Sequence, residues 1–377
     1  MAQGRAIVVR AEPPDLDALG EAWDGLLARS DADPLFNSRE WLTNWWSQYG
    51  DRIGGQLDIR SLHTNKTLVG LGLFARRPVV HRGGLQGRRL ELLGTAHGVR
   101  GVAFSERTEL ILDRSSRAMA TELLAGALVA DTTWDELYVS YAQEDGVTHH
   151  LFRQVAADCG GYLRVADYME AWEISLSGRF EDFLAGLGAG TRARLMGSRK
   201  RLESAGAVRE RLLGVEEQDE GWEIFSRLYE ARWQRPFSEH WRRFYGAIAA
   251  AQAARGVPVM SVLEFDGQPI SLLVNFRAGQ REYSMATAFV PVDIKRVSPG
   301  WLHLGLAIER AIADGMLTFD FLGGEGKNEQ YKSAFGGENS QLLCLQLLRA
   351  RRLKFTYRTW DQLKHIRRGR GSQRCSR

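Results

Sequence analysis

Apolar residues recur at helical spacing over Leu16 to Leu27 and again over Arg39 to Tyr49, where Asn37 and Ser38 stand ahead as candidate caps. The period then shortens to two. Strands are predicted at Leu57–Leu62, Leu68–Phe74, Leu90–Leu93 and Glu109–Leu112, followed by a helix over Ser116–Ala130. A further strand, Asp135–Tyr141, puts Leu137 and Val139 on one face and Tyr138 and Ser140 on the other. Thr148–Ala157 reads as a helix that stops at Gly160-Gly161, as a C-terminal cap requires.

The same order returns in the second half. A strand over Ala171–Leu176 and a short helix over Phe180–Leu187 lead to the glycines Gly186, Gly188 and Gly190, after which Thr191 caps a helix over Arg192–Ser204. A strand over Val208–Leu213 precedes two longer helices, Glu217–Trp233 and Ser238–Ala254. Three strands follow, Val259–Phe265, Pro269–Arg277 and Arg281–Ala288. Asp266-Gly267 between the first two is a type I′ hairpin signal, because both central residues of that turn need positive φ. A helix over Trp301–Asp314, a strand over Leu317–Phe321 and a last strand over Gln341–Leu348 complete the pattern. No residue-level repeat joins the halves, so duplication is a matter of element order alone.

The length of 377 residues exceeds one ordinary core and points to two domains of about 150 to 200 residues each. We set them at 1–165 and 166–350, with a basic C-terminal helix and tail over 351–377. That tail holds ten Arg and Lys against the single acid Asp361, so it is strongly basic while the body is mildly acidic. It suits either a solvated helix end or a contact with nucleic acid or an anionic membrane. No run of about 18 apolar residues is long enough to span a membrane. The N-terminus meets charge too early for a secretory signal. Cys159, Cys344 and Cys375 have neither metal-ligand spacing nor an even disulfide count. A reduced, cytoplasmic protein without a bound metal is expected.

Candidate chemistry gathers in the last third. Ser298 is a good N-cap, Pro299 suits the first helical position, and Gly300 leaves the backbone approachable, so the turn offers free N–H groups and the positive end of a helix dipole to an anion. Lys295 and Arg296 precede it as candidate phosphate partners. His303, on the same helix, is read either as a cofactor ligand or as a surface residue. Asp320 interrupts the apolar strand Leu317–Phe321 and therefore needs a partner. Gly323 and Gly324 turn the chain and bring Glu325 to the open end of the sheet, where ligands bind. A carboxylate there accepts a proton from an attacking ammonium group while Tyr331 donates to a departing thiolate; alternatively Asp320 and Lys332 form a structural ion pair. Arg194, Arg232 and Trp233 are candidate substrate-binding residues, alongside the plainer reading of a solvated basic helix and a packed indole.

The run SPGWLHLGLAIERA, followed by FDFLGGE and YKSAFGG, resembles the CelD-like, cellulose-biosynthesis-associated branch of the GNAT acyltransferase superfamily. PLFNSREWLTNWWSQYG, TRARLMGSRKRLESAG and YEARW extend the resemblance in patches over nearly the whole chain. It implies an α/β (α+β) fold of two tandem GNAT-like domains, as in the Fem-type aminoacyltransferases, each a mixed, mainly antiparallel sheet flanked by helices. By that resemblance Ser298 and Gly300 match the donor-phosphate turn, and Asp320, Tyr331 and Lys332 the strand and loop near the acceptor. The donor loop departs from the superfamily's usual glycine-rich form and reads Lys295-Arg296-Val297-Ser298-Pro299-Gly300. The implied activity is transfer of an acyl group, in the first place acetyl from acetyl-CoA, to an amine of a small-molecule, sugar or peptide-like acceptor. The donor thioester is expected where two central strands diverge. The first half is read as a degenerate partner domain. Two other activities fit the same fold: aminoacyl transfer from a charged tRNA, and a noncatalytic role in exopolysaccharide assembly.

Overall fold

The computed structural model describes residues 7–10, 14–324 and 330–372. The first half runs β1 (Ile7–Arg10), α1 (Gly20–Ala28), α2 (Arg39–Tyr49), β2 (Gln56–Thr64), β3 (Thr67–Val80), β4 (Gln86–Leu92), β5 (Ile111–Leu112), α3 (Arg117–Ala130), β6 (Glu136–Gln143), α4 (Val147–Asp158) and β7 (Tyr162–Ser175). Then come α5 (Phe180–Gly186), α6 (Ala189–Ala205), β8 (Val208–Leu213), α7 (Gln218–Trp233), α8 (Glu239–Ala254), β9 (Met260–Phe265), β10 (Gln268–Ala278) and β11 (Arg281–Phe289). The chain ends with α9 (Pro299–Ala313), β12 (Thr318–Gly324), α10 (Gln330–Ala334), β13 (Glu338–Leu348) and α11 (Arg351–Ser372). Both halves are thus mixed α/β, with sheets flanked by helices.

The chain divides into two compact units. The first takes the described residues up to Val99, Phe104–Tyr168 and those from Leu342 onward; the second takes Arg100–Ala103 and Met169–Gln341. Residues from Leu342 were expected in the second domain and in a separate tail, but they group with the first. The reason is strand pairing: β13 runs antiparallel to β6 from Leu342 to Leu348, while the end of β7 runs antiparallel to β12. Each unit therefore completes its sheet with the last strand of the other half of the sequence. Such pairing is long-range and leaves no local signature.

In the first unit β1 to β4 form an antiparallel meander and β4 then pairs parallel with β6. Its core gathers Phe74, Leu90, Leu124, Trp134, Leu137, Leu151 and Phe152 beneath α3 and α4. In the second unit β8 to β11 form the meander and β11 pairs parallel with β12. Ala307, Ile308 and Ala311 of α9 pack with Leu273, Phe319 and Phe321 of the sheet. Burial of these apolar faces is the main favourable term for either unit.

Local signals hold where the side chain itself makes the bond. Ser38 caps α2 by accepting from the Trp41 N–H, and Asp266 and Gly267 have φ of 49° and 74°, as a type I′ hairpin requires. Thr191 does not cap α6: the helix begins at Ala189 with Gly188 at the cap position and includes Gly190.

Candidate functional site

β11 and β12 run parallel for only three register positions, Arg281 with Thr318, Glu282 with Phe319 and Tyr283 with Asp320. Immediately beyond, β11 carries one extra residue, Met285, against β10, a bulge that re-aims the strand. Ser284 to Thr287 are half-buried although they lie in an interior strand. Beyond those three positions the two central strands are no longer paired. The chain then crosses 290–298 and enters α9.

At that entry Ser298 occupies the cap position with extended dihedrals and Pro299 follows in the first helical position. The Ser298 side chain makes no cap hydrogen bond; its backbone N–H instead donates to Ser198 Oγ at 3.4 Å. The N–H groups of Gly300 and Trp301 have no acceptor within the helix. Gly300 is buried, and a Cβ added there would lie 2.5 Å from the Phe289 ring. Glycine is required by the close passage of Phe289, which replaces the expectation that it leaves the backbone approachable.

Two guanidinium groups flank this first turn. Arg232, ending α7, lies 3.7 Å from the centroid of the Phe289 ring, and Arg194, on α6, lies 4.3 Å from that of Trp301. Among the described residues neither forms an ion pair with a carboxylate. Burial pushes the Arg232 pKa down, with no nearby acid to offset it. Both stack on aromatic rings that touch or belong to the first turn of α9, so positive charge is held beside the helix dipole's positive end without a counter-ion. Sequence reading set these two arginines on the acceptor side; the structure places them at the helix entry. Lys295 and Arg296 are exposed, and the Arg296 carbonyl accepts from Arg201 at 3.3 Å. Trp233 is 44% exposed and tilts against Tyr229.

His303 is fully buried, against both earlier readings of it as a cofactor ligand or a surface residue. Its Nδ1 is 2.9 Å from Ser271 Oγ, its Nε2 is 2.9 Å from Ser261 Oγ, and Glu210 lies 3.5 Å from Nε2. It ties α9 to β10 and β9. Burial lowers its pKa, opposed by Glu210.

Asp320, with no exposed surface, accepts from Arg281 at 2.9 Å and from the Leu322 N–H at 2.8 Å. Arg281 also pairs with Glu173 at 2.6 Å. Lys332 donates to the carbonyls of Leu322 and Gly323 at 2.7 and 2.6 Å. Leu322 has φ of 61°, so the end of β12 is held in a tight bend by a carboxylate on one side and an ammonium on the other. Both side chains are thereby engaged in shaping the strand end. Arg281 had carried no mark in the sequence, yet Asp320 interrupting an apolar strand demanded a cation, and Arg281 opens the neighbouring one. Tyr331, on α10, packs edge-on against Trp301, and burial pushes its phenol up to about 12. Among the described residues its hydroxyl has no hydrogen-bond partner. Glu325 lies outside the described residues.

Residues 189–333, which hold α6, β11, α9 and β12, match the family model of the acetyltransferase (GNAT) domain. This stretch is similar to a GNAT acetyltransferase domain. By structure the chain is similar to the crystal structure of FemX, with a TM-score of 0.60 at 10% identity over 86% of this chain and 95% of that one. It is also similar to a conserved protein of unknown function from Bacteroides thetaiotaomicron VPI-5482, with a TM-score of 0.54 at 10% identity over 91% and 100% of the two chains. Identity that low shows a shared fold and nothing finer. No curated protein matches the sequence. The matched residues hold the end of the β11–β12 ladder and the entry of α9 on adjoining stretches of chain. Among the described residues no group of three His, Cys, Asp or Glu is placed to hold a metal, and no helix is long and apolar enough to cross a membrane.

Proposed function

We propose that the GNAT-like domain transfers an acyl group, in the first place acetyl, from acyl-CoA to a primary amine of a small-molecule, sugar or peptide-like acceptor. The observation that carries this reading is the pair of carboxylate-free guanidiniums, Arg194 and Arg232, stacked on Trp301 and Phe289 beside the first turn of α9. A pyrophosphate fits there: it would accept from the Gly300 and Trp301 N–H groups and be neutralised by the two arginines. From that anchor the pantetheine arm runs to where β11 and β12 cease to pair, and backbone N–H groups on the freed edge of β11 are suited to polarise the thioester carbonyl.

The amine attacks the thioester carbon; the carbon–sulfur bond breaks, the sulfur leaves as thiolate, and the nitrogen gives its extra proton to solvent water. Tyr331 is well suited to the last step as a hydrogen-bond donor. A phenol near 12 stays protonated throughout the working range, and a thiolate of ordinary pKa about 8.5 is stabilised by its hydrogen bond without taking the proton outright. Asp320 and Lys332 contribute by fixing the strand end, and most of the rate would come from holding donor and amine together, worth roughly 10⁵ M or more in effective concentration. Membership of the CelD-like branch and a cytoplasmic setting belong to this proposal as well.

Calorimetric titration with acetyl-CoA and free coenzyme A tests it. Wild-type protein binds both, and the Arg194→Ala/Arg232→Ala double variant binds neither detectably while melting normally. Failure of wild type to bind either ligand at millimolar concentration would remove acyl-CoA as the donor.

A further inference from the structure

The last helix presents two unlike faces. Inward, Leu353 and Tyr357 of α11 pack with Leu348, Leu85 and Tyr162, and the Arg82 guanidinium lies 3.9 Å from the centroid of the Trp360 ring. The helix has one acid, Asp361, and it is spent inward: it accepts from Arg164 Nε at 2.7 Å and from the Tyr162 hydroxyl at 3.0 Å. Outward, Arg351, Phe355 and Gln362 recur at helical spacing, and Arg358 is exposed beside them with its guanidinium 5.1 Å from the centroid of the Tyr162 ring. Phe355 is 75% exposed and Leu363 49%.

Among the described residues none of Arg351, Arg352, Lys354 and Arg358 pairs with a carboxylate. Arg352 and Lys354 donate to the backbone carbonyls of Gln86 and Gly160, which satisfies donors without cancelling charge. An exposed phenylalanine and leucine set in uncompensated positive charge is the composition of a helix that lies in a lipid–water boundary. We propose that α11 docks this protein on an anionic phospholipid surface, Phe355 and Leu363 entering the headgroup boundary and Arg351 and Arg358 meeting the phosphates. A single-stranded nucleic acid would call for a row of stacking rings, and among the described residues this face offers Phe355 alone, since Tyr357 and Trp360 turn inward. The inference rests on the first unit alone and is independent of acyl transfer.

Sedimentation of the full chain with vesicles decides it. Binding is expected to phosphatidylcholine vesicles that contain phosphatidylglycerol and not to pure phosphatidylcholine. Arg351→Ala should weaken binding about fivefold and Phe355→Ser about tenfold. Both side chains are exposed and unpartnered, so melting curves should match wild type. Equal binding to both vesicle types, no binding to either, or full binding by Phe355→Ser would each overturn the proposal. Capture of a transfer RNA by a chain that ignores vesicles would overturn it too and hand the face to nucleic acid.

Discussion

The two units share a frame and differ at the one place where a ligand would enter. In each, a meander leads through a helix to a strand parallel to its last member, and in each that parallel ladder is three positions long: Arg89 with Glu136 through Glu91 with Tyr138, and Arg281 with Thr318 through Tyr283 with Asp320. Beyond the ladder the second unit opens into the half-buried stretch Ser284 to Thr287. The first unit folds back on itself. The His97 carbonyl accepts from Arg77 at 2.8 Å and Arg89 at 3.2 Å, its N–H donates to Glu91 at 2.8 Å, and its ring stacks on Tyr138. Arg89 is bidentate to Glu136, which like Glu91 has no exposed surface. Ion pairs occupy the first unit beyond the ladder, where the second leaves Ser284 to Thr287 half-buried.

The largest expected effect breaks the plug. Glu136→Ala removes the bidentate partner of buried Arg89, leaving it the His97 carbonyl and the more distant Glu91 at 3.8 Å, and should cost about 3 to 5 kcal/mol in denaturant unfolding while leaving acetyl-CoA affinity unchanged. Asp320→Ala leaves Arg281 its second partner, Glu173, so its cost should be smaller, about 3 kcal/mol. It should also weaken acetyl-CoA binding, because the bend at Leu322 loses its acceptor. Loss of donor binding in Glu136→Ala would show that the two units do not divide the work in this way.

Gly300→Ala comes next. Its new methyl meets the Phe289 ring, and overpacking of this kind costs about 1 to 3 kcal/mol. Adding Phe289→Leu should recover much of that stability but not donor affinity, since the ring also carries Arg232. An Ala at position 300 that melts like wild type would undo the packing account of this glycine. Single alanine variants of Arg194 and Arg232 should each weaken coenzyme A binding about tenfold, the scale of one charge-assisted hydrogen bond, and shift stability by no more than about 0.5 kcal/mol. Calorimetry and melting on the same samples separate the two quantities.

These outcomes bear on what a sequence can disclose. Features that a residue and its near neighbours settle were legible: the Ser38 cap, the hairpin at Asp266-Gly267, and Pro299 opening α9. Features set by distant pairing were not. β7 extends back to Tyr162, well before the predicted start at Ala171, and exchange of the terminal strands follows only once β6 and β12 exist as templates. Arg77 and Arg89 lie outside the predicted strands Leu68–Phe74 and Leu90–Leu93, and only the longer β3 and β4, with their bonds to Glu91, Glu136 and the His97 carbonyl, put them inside. His303 was misjudged for a related reason. A polar residue near a helix start suggests solvent, yet Ser261 and Ser271 on two neighbouring strands supply the hydroxyls that make burial affordable.

His303 also gives the smallest and most specific prediction, because its effect depends on pH and falls on the second unit. In the unfolded chain a histidine titrates near 6.5; in the fold, burial lowers that value, and the opposing pull of Glu210, itself paired with Arg310, does not restore it. Below about pH 6.5 the unfolded chain therefore binds a proton that folded His303 refuses. The stability tied to a neutral His303 is present above the unfolded pKa and is lost as pH falls through it. His81, His97 and His149 are lowered by burial as well, so the wild-type slope sums both units. His303→Gln, which keeps a polar group between the two serines, should remove only its own share and flatten the fall in stability on acidification. Because α9 is tied to β9 and β10 through this ring, the same acidification should weaken coenzyme A binding in wild type more than in the variant. Parallel stability slopes in the two proteins would mean that His303 is protonated in the fold as readily as out of it. The link between α9 and its sheet would then have to be sought in the apolar contacts of Ala307 and Ile308.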